Sequence, residues 1–159
     1  PKGVTRIDVV TAQEMLDASL NVASACDLFI AAAAVADYRP VSVADQKIKK
    51  GDDDGMTLTL VKNPDIVATI ATLSPKPYVV GFAAESENLV AYATRKLHRK
   101  QLDIVVANNI AQEGIGFNSD DNAVTLVEAD AVTDISPRSK QQLARDLIAL
   151  FAHKITNKN

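Results

Sequence analysis

The chain of 159 residues has no tryptophan, one cysteine and two histidines, and aromatic residues make up only 4% of it. A single cysteine, Cys26, closes no internal disulfide, so a disulfide-stapled scaffold is excluded and a reducing, cytoplasmic setting is expected. His98 and His153 stand far apart, each in a basic helical stretch, and make no metal-ligand pattern; both read as surface residues. No apolar run reaches the ~18 residues of a membrane span. The longest, 28–36 (LFIAAAAVA), has the length of a core strand. The usual nucleotide signatures are missing: no G-x-G-x-x-G follows a strand and no G-x-x-x-x-G-K-[ST] occurs. No Ser–His–Asp arrangement stands out. Seventeen basic residues face 20 acidic ones, a formal charge of −3, so no bulk field draws nucleic acid and any anion site has to be a local cluster. The opening PKGVTRIDVV has neither an initiator methionine nor a signal-peptide pattern, so a piece of a longer protein is expected.

What is present is an alternation of apolar runs and helix-period segments. The length suits one domain with a sizeable core, and 47% hydrophobic with 23% charged residues is ordinary for a soluble protein. Residues 6–10 (RIDVV) read as a strand. Thr11 and Glu14 form a capping box at the start of a helix that carries Met15, Leu16, Leu20 and Ala23 at helical spacing. Residues 27–36 read as a buried strand, apolar throughout as in a parallel sheet covered on both faces. Further strands are expected over 57–61 (TLTLV), 78–85 (YVVGFAAE) and 103–109 (DIVVANN), and a hairpin over 123–130 and 132–136. Helices are expected after Asn63-Pro64-Asp65, with Asn63 as N-cap, and over 86–100 and 138–155. Cys26, at the end of a helix, is expected to pack in the core. The order predicts an α/β domain with a mostly parallel sheet, broken by a flexible flap over about 38–56.

Ligands of such sheets bind beyond the carboxyl ends of the strands. Asp37 follows a nine-residue apolar run and fits either a strand-ending turn or an acceptor for a ligand's donors. Asn108 and Asn109 are open in the same way. The free N–H groups at the start of the NPDIV helix suit an anion, whereas Asp65 there suits the helix dipole without any ligand. The helix over 86–100 ends with Arg95, Lys96, His98, Arg99 and Lys100, which also suits the dipole. Yet Lys96 and Lys100 share one face, and such like-charge pairs repel by a few tenths of a kcal/mol that a polyphosphate would turn into attraction. KIKK, with Lys47, Lys49 and Lys50, precedes Gly51 and three aspartates; a solvated hairpin tip and a mobile clamp for a polyanion both fit it.

In this order, AAVADYRP, KIKK, VKNPDIV, VGFAAE, ANN and GFNSDDNAV resemble phosphopantothenoylcysteine synthetase, the C-terminal part of the bacterial bifunctional coenzyme A biosynthesis flavoprotein. The resemblance runs over essentially the whole chain. It implies a Rossmann-like three-layer fold with a C-terminal hairpin plus helix. It implies CTP-dependent ligation of 4′-phosphopantothenate with cysteine: the carboxylate attacks the α-phosphorus of CTP, pyrophosphate leaves, and the cysteine amine displaces CMP from the acyl-cytidylate. Mg²⁺ accompanies CTP, with no ligand assigned to it here; FMN belongs only to an upstream decarboxylase domain absent from this sequence. Implied nucleotide contacts are Asp37, Lys47 as the catalytic lysine of the flap, Asn63, Pro64, Asp65 and Ile66 of an NPDI turn, Phe82, Lys96 and Lys100. A homodimer is implied, with no nucleic-acid or membrane partner. The family's earlier Gly/Thr-rich strand–loop and SSGKMG-like stretch do not occur in this sequence. The chain is therefore expected to be a single ligase domain over 1–159 that lacks its N-terminal segment and has little or no activity alone. The alternative is a nucleotide-binding or dimerisation module with no chemistry of its own. A nicotinamide-dependent oxidoreductase is disfavoured by the missing glycine fingerprint.

Overall fold

The computed structural model describes residues 2–49, 55–110 and 119–157. In chain order the elements are α1 (Ala12–Ala23), β1 (Leu28–Ala31), β2 (Tyr38–Pro40), β3 (Leu60–Lys62), α2 (Ile66–Ala71), β4 (Tyr78–Glu85), α3 (Leu89–Arg99), β5 (Ile104–Asn109), β6 (Asp121–Val127), β7 (Val132–Ser139) and α4 (Lys140–Thr156). Five strands form one sheet in the order β1-β4-β5-β6-β7. The first three are parallel, and β6 and β7 extend the sheet as an antiparallel hairpin. β2 and β3 pair separately, antiparallel, as the base of an arm.

The sheet divides the core in two, because successive strand residues face opposite sides. Val79, Val105, Ala107 and Val127 meet Leu16 and Ala23 of α1, Ile66 and Ile70 of α2, and Ala93 and Leu97 of α3. Tyr78, Val80, Ile104, Val106 and Leu126 meet Leu143, Leu147 and Phe151, which recur every four residues on α4. Three layers result, as expected. Burial on both faces explains why β4 and β5 read as near-continuous apolar runs. The amino ends of these strands are tied by Asp103: its carboxylate accepts the Val79 N–H at 2.8 Å and meets the Lys76 ammonium at 3.0 Å.

Local signals at the helix ends explain where the elements begin and stop. At α1 the Thr11 hydroxyl accepts the Glu14 N–H at 3.1 Å, and the Glu14 carboxylate accepts the N–H groups of Val10 and Thr11 at 2.7 and 3.1 Å. Those two donors, Val10 foremost, hold the Glu14 carboxyl below its ordinary range. The end of α3 is less obvious in the sequence. The Leu102 N–H reaches the Leu97 carbonyl at 3.0 Å and the Gln101 N–H reaches that of His98 at 3.3 Å. This is the Schellman pattern, sealed by Leu97 and Leu102 in the core. Gln101 holds the left-handed position at φ 53°, where glycine is usual. Gln101→Gly is therefore expected to stabilise the chain by about 1 kcal/mol. A urea midpoint equal to or below that of the parent would contradict this.

Four expectations are corrected. Residues 6–10 form no strand: the pattern is there, but no described strand pairs with this backbone, and Val10 is left 95% exposed. The apolar run 28–36 is a strand only to Ala31, at the sheet edge, and continues as an exposed loop. Of 57–61, only Leu60 and Val61 enter β3, which also takes in Lys62. Cys26 is exposed in the connection from α1 to β1, not packed in the core.

Tyr78 gives the fold a pH dependence. It is 8% exposed, and its burial, with smaller contributions from Glu128 and Asp103, raises its pKa from 10.0 to about 12. The folded state thus keeps a proton that the unfolded state releases near 10. This contribution is whole below that pH and is lost as the pH rises towards 12. Denaturant midpoints are expected to fall across that window, and Tyr78→Phe to remove this part of the fall. Identical pH profiles of parent and variant would refute the assignment.

Candidate functional site

β1 stops opposite Gly81, whereas β4 continues to Glu85 beside β5. The chain leaves β1 through the exposed loop 32–37 and passes into the arm. Asn63, at the far side of the arm, ties this loop down. Its backbone N–H donates to the Asp37 carbonyl at 2.8 Å, and its Nδ2 donates to the Ala36 carbonyl at 2.8 Å. Its Oδ1 accepts from Arg39 Nη1 at 3.1 Å, and the same nitrogen reaches the Lys62 carbonyl at 2.8 Å.

These bonds explain why Asn63 is not the N-cap of the following helix. Asp65 is: its Oδ1 accepts the Ala68 N–H at 3.2 Å. Pro64, partly buried, joins the two, and Ile66 points into the core at 7% exposure. The start of α2 is thus already served by a carboxylate. That carboxylate also meets Lys100, whose Nζ lies 3.0 Å from each of its oxygens.

One turn earlier on α3, Lys96 Nζ donates to the carbonyl oxygen of Phe82 at 2.5 Å. Burial pulls the Lys96 pKa down, and Lys100 adds to the fall; Glu85 and Asp65 oppose it, and Arg99 reinforces it. Two ammonium groups therefore share one side of the α3 end, Lys100 ion-paired to Asp65 and Lys96 in an ion pair with none of the described residues, with Glu85 nearby. Such a site favours a further anion.

Asp37 is exposed, and its carboxylate has no partner among the described residues. Lys47 and Lys49, exposed on the arm, are likewise unpaired among them. Lys50, Asp52, Asp53 and Asp54 lie outside the described residues, as do Gly116, Phe117 and Asn118 of GFNSDDNAV. The structure thus gathers Asp65, Phe82, Lys96 and Lys100, and links them through Pro64 to Asn63 and the Asp37 loop. Lys47 makes no hydrogen bond or ion pair with any of them. Arg39 stands two residues after Asp37 in VADYRP, but no local sequence signal marks it, because its partners Lys62 and Asn63 lie more than twenty residues away. At the end of β5 the Oδ1 of Asn108 is buried with no hydrogen-bond partner among the described residues. An unmet acceptor of this kind costs about 1–3 kcal/mol.

A cavity of about 450 Å³ lies at the opposite end of the sheet, beside Cys26, Asp27, Lys76 and Tyr78. Its cation is already spent, since Lys76 pairs with Asp103 and donates to the Gln101 carbonyl at 2.8 Å. The carboxyl end carries the better-equipped chemistry. Among the described residues no three His, Cys, Asp or Glu side chains cluster to hold a metal. Nor is any described helix long and apolar enough to cross a membrane.

The family model of the DNA/pantothenate metabolism flavoprotein C-terminal domain matches residues 1–155. The chain belongs to this family. Among the relatives of this flavoprotein C-terminal domain is the coenzyme A biosynthesis bifunctional protein CoaBC of Vibrio vulnificus strain CMCP6. It is 49% identical over 150 residues, covering 93% of this chain and 37% of that protein. CoaBC of Escherichia coli K12 is 44% identical over 163 residues, covering 100% of this chain and 40% of that protein. The chain thus spans well under half the length of these curated relatives. A crystal structure of the C-terminal domain of CoaBC matches it with a TM-score of 0.79 at 30% identity, over 99% of this chain and 69% of that one. The Rossmann-like α/β fold is shared.

Proposed function

We propose that this chain is the nucleotide-binding part of a phosphopantothenate–cysteine ligase of coenzyme A biosynthesis, and that its nucleotide is CTP. The observation that carries the reading is the Lys96–Lys100 pair. One ammonium is partly buried against the Phe82 carbonyl, the other is held by Asp65, and among the described residues Asp65 is the one acid ion-paired to either. A triphosphate supplies the missing negative charge. The membership of a coenzyme A flavoprotein family supports the same chemistry.

In this reading the 4′-phosphopantothenate carboxylate attacks the α-phosphorus of CTP, and pyrophosphate departs. The cysteine amine then attacks the acyl-cytidylate carbonyl, forming the amide and releasing CMP. Charge builds on the phosphates in the first step, so aimed cations lower its barrier. Lys96 and Lys100 stand ready before the nucleotide arrives. Lys47 approaches on the arm, which acts as a flap, and Asp37 contacts the nucleotide from its loop. The Asn63-Pro64-Asp65-Ile66 turn offers its backbone, because the Asn63 amide is engaged internally and the Ile66 side chain is in the core. Mg²⁺ would accompany the triphosphate and neutralise part of its charge; with no cluster of acids among the described residues to hold it, it would depend mainly on the nucleotide for its ligands. FMN has no part in this half of the chemistry.

A homodimer in the cytoplasm completes the proposal. Tyr38, Val41, Val43, Met56, Leu58 and Leu60 are large apolar side chains left exposed on and around the arm, which a second copy would cover in part; sedimentation of the chain reads this directly. The whole reading is tested by assaying phosphopantothenoylcysteine formation from CTP, 4′-phosphopantothenate and cysteine. The chain alone is expected to give little product, and the chain with the flanking segments of its longer relatives to give it readily. No product from the completed protein would leave only the non-catalytic module.

A further inference from the structure

We infer that Arg39 is a positioning residue for the nucleotide site: it orients the Asn63 amide and thereby clamps the loop after β1, the base of the arm and the turn before α2 into one unit. This rests on the nucleotide reading above and adds a residue to it.

The chemistry of the groups leaves one arrangement. A guanidinium only donates and a main-chain carbonyl only accepts. Between Arg39 Nη1 and the Ala36 carbonyl, the Asn63 side chain must therefore turn its oxygen to the arginine and its nitrogen to the carbonyl. Replacing Arg39 removes the donor that holds the amide this way round. It also frees the Lys62 carbonyl, 2.8 Å from the same nitrogen, at the last residue of β3.

Three functional groups hang on this clamp. Asp37 sits between Ala36, held by the Asn63 side chain, and Tyr38, paired with Lys62. Its own carbonyl accepts the Asn63 N–H. Asp65 lies two residues beyond Asn63, across the rigid Pro64, and holds Lys100. Lys47 is carried by the arm whose base is β2 and β3. Arg39 makes no hydrogen bond or ion pair with any of the three side chains, yet it ties together the backbone segments that carry Asp37, Asp65 and the arm of Lys47.

The test titrates CTP with Mg²⁺ into the full chain, as wild type, Arg39→Met, Asn63→Ala and the double variant, and follows hydrogen exchange at the Asn63 backbone amide without ligand. Loss of one charge-assisted contact in a shared unit is expected to weaken CTP about tenfold in each single variant. The double variant is expected to bind no worse than the weaker single, and Arg39→Lys to recover part of the affinity. Asn63 is expected to lose exchange protection in Arg39→Met, while the melting temperature moves little. Wild-type CTP affinity in Arg39→Met overturns the inference. So does a strictly additive loss in the double variant, which would mean that Arg39 and Asn63 act separately. If the wild type itself binds no CTP, the nucleotide reading fails, and the exchange result alone decides the clamp: unchanged protection at Asn63 in Arg39→Met refutes it. Should Arg39→Met not fold, the same exchange measurement on Arg39→Lys stands in its place, with partial loss expected and full protection refuting the clamp.

Discussion

Lys47→Gln is expected to slow pyrophosphate release by about 10²–10³-fold when the flanking segments of the longer relatives are present, as for the loss of one aimed donor at a developing anion. The reason lies in what the other lysines already do. Lys96 and Lys100 are fixed before any ligand arrives, one on a carbonyl oxygen and one on a carboxylate. On the proposed reading they would favour bound nucleotide and transition state to a similar degree, and so act chiefly on affinity. Lys47 is exposed and unpaired among the described residues. A cation that arrives only with the closed flap is free to act where charge develops. Glutamine keeps most of the length and removes the charge, so kcat should fall far more than affinity for CTP. Pyrophosphate release by the variant at nearly the parent rate would remove Lys47 from the chemistry.

Phe151→Ala is expected to cost about 3–5 kcal/mol of stability, a large share of the roughly 5–15 kcal/mol that holds a domain of this kind together. Phe151 is 1% exposed and packs near the Tyr78 ring, with centroids 6.4 Å apart. It anchors α4, the one described helix of its layer, against the sheet. Of the groups proposed to meet the nucleotide, Asp65, Lys96 and Lys100 are carried by the α2 and α3 side of the sheet, and Phe82, nearer the carboxyl end of β4, packs on the α4 side. Chain that remains folded should therefore bind CTP as before. A fall in the urea midpoint worth less than about 1 kcal/mol would show that the core on the α4 side collapses around the gap.

Sequence signals that act within one or two turns were legible. The capping box at Thr11 and Glu14 formed as read, and the apolar runs of β4 and β5 became strands buried on both faces. Signals that depend on a distant partner were not. Residues 6–10 have strand chemistry, but strand formation requires a neighbouring edge, and sequence pattern does not reveal whether one is available. Asn63 and Asp65 are both good cap residues. Ala36 and Arg39, more than twenty residues away, claim the first and leave the cap to the second. The turn after α3 was disguised by Gln101 standing where glycine is usual. At the site, the shared face of Lys96 and Lys100 followed from helical spacing. Their anchors did not: Phe82 lies 14 residues from Lys96, and Asp65 lies 35 from Lys100.

Calorimetric titration of CTP with Mg²⁺ into the chain, set beside Lys96→Met, is the most direct test of the nucleotide site. Saturable binding by the parent, weakened at least tenfold in the variant, is the expected result. No heat of binding from a folded parent, or equal affinity in the two proteins, would contradict it.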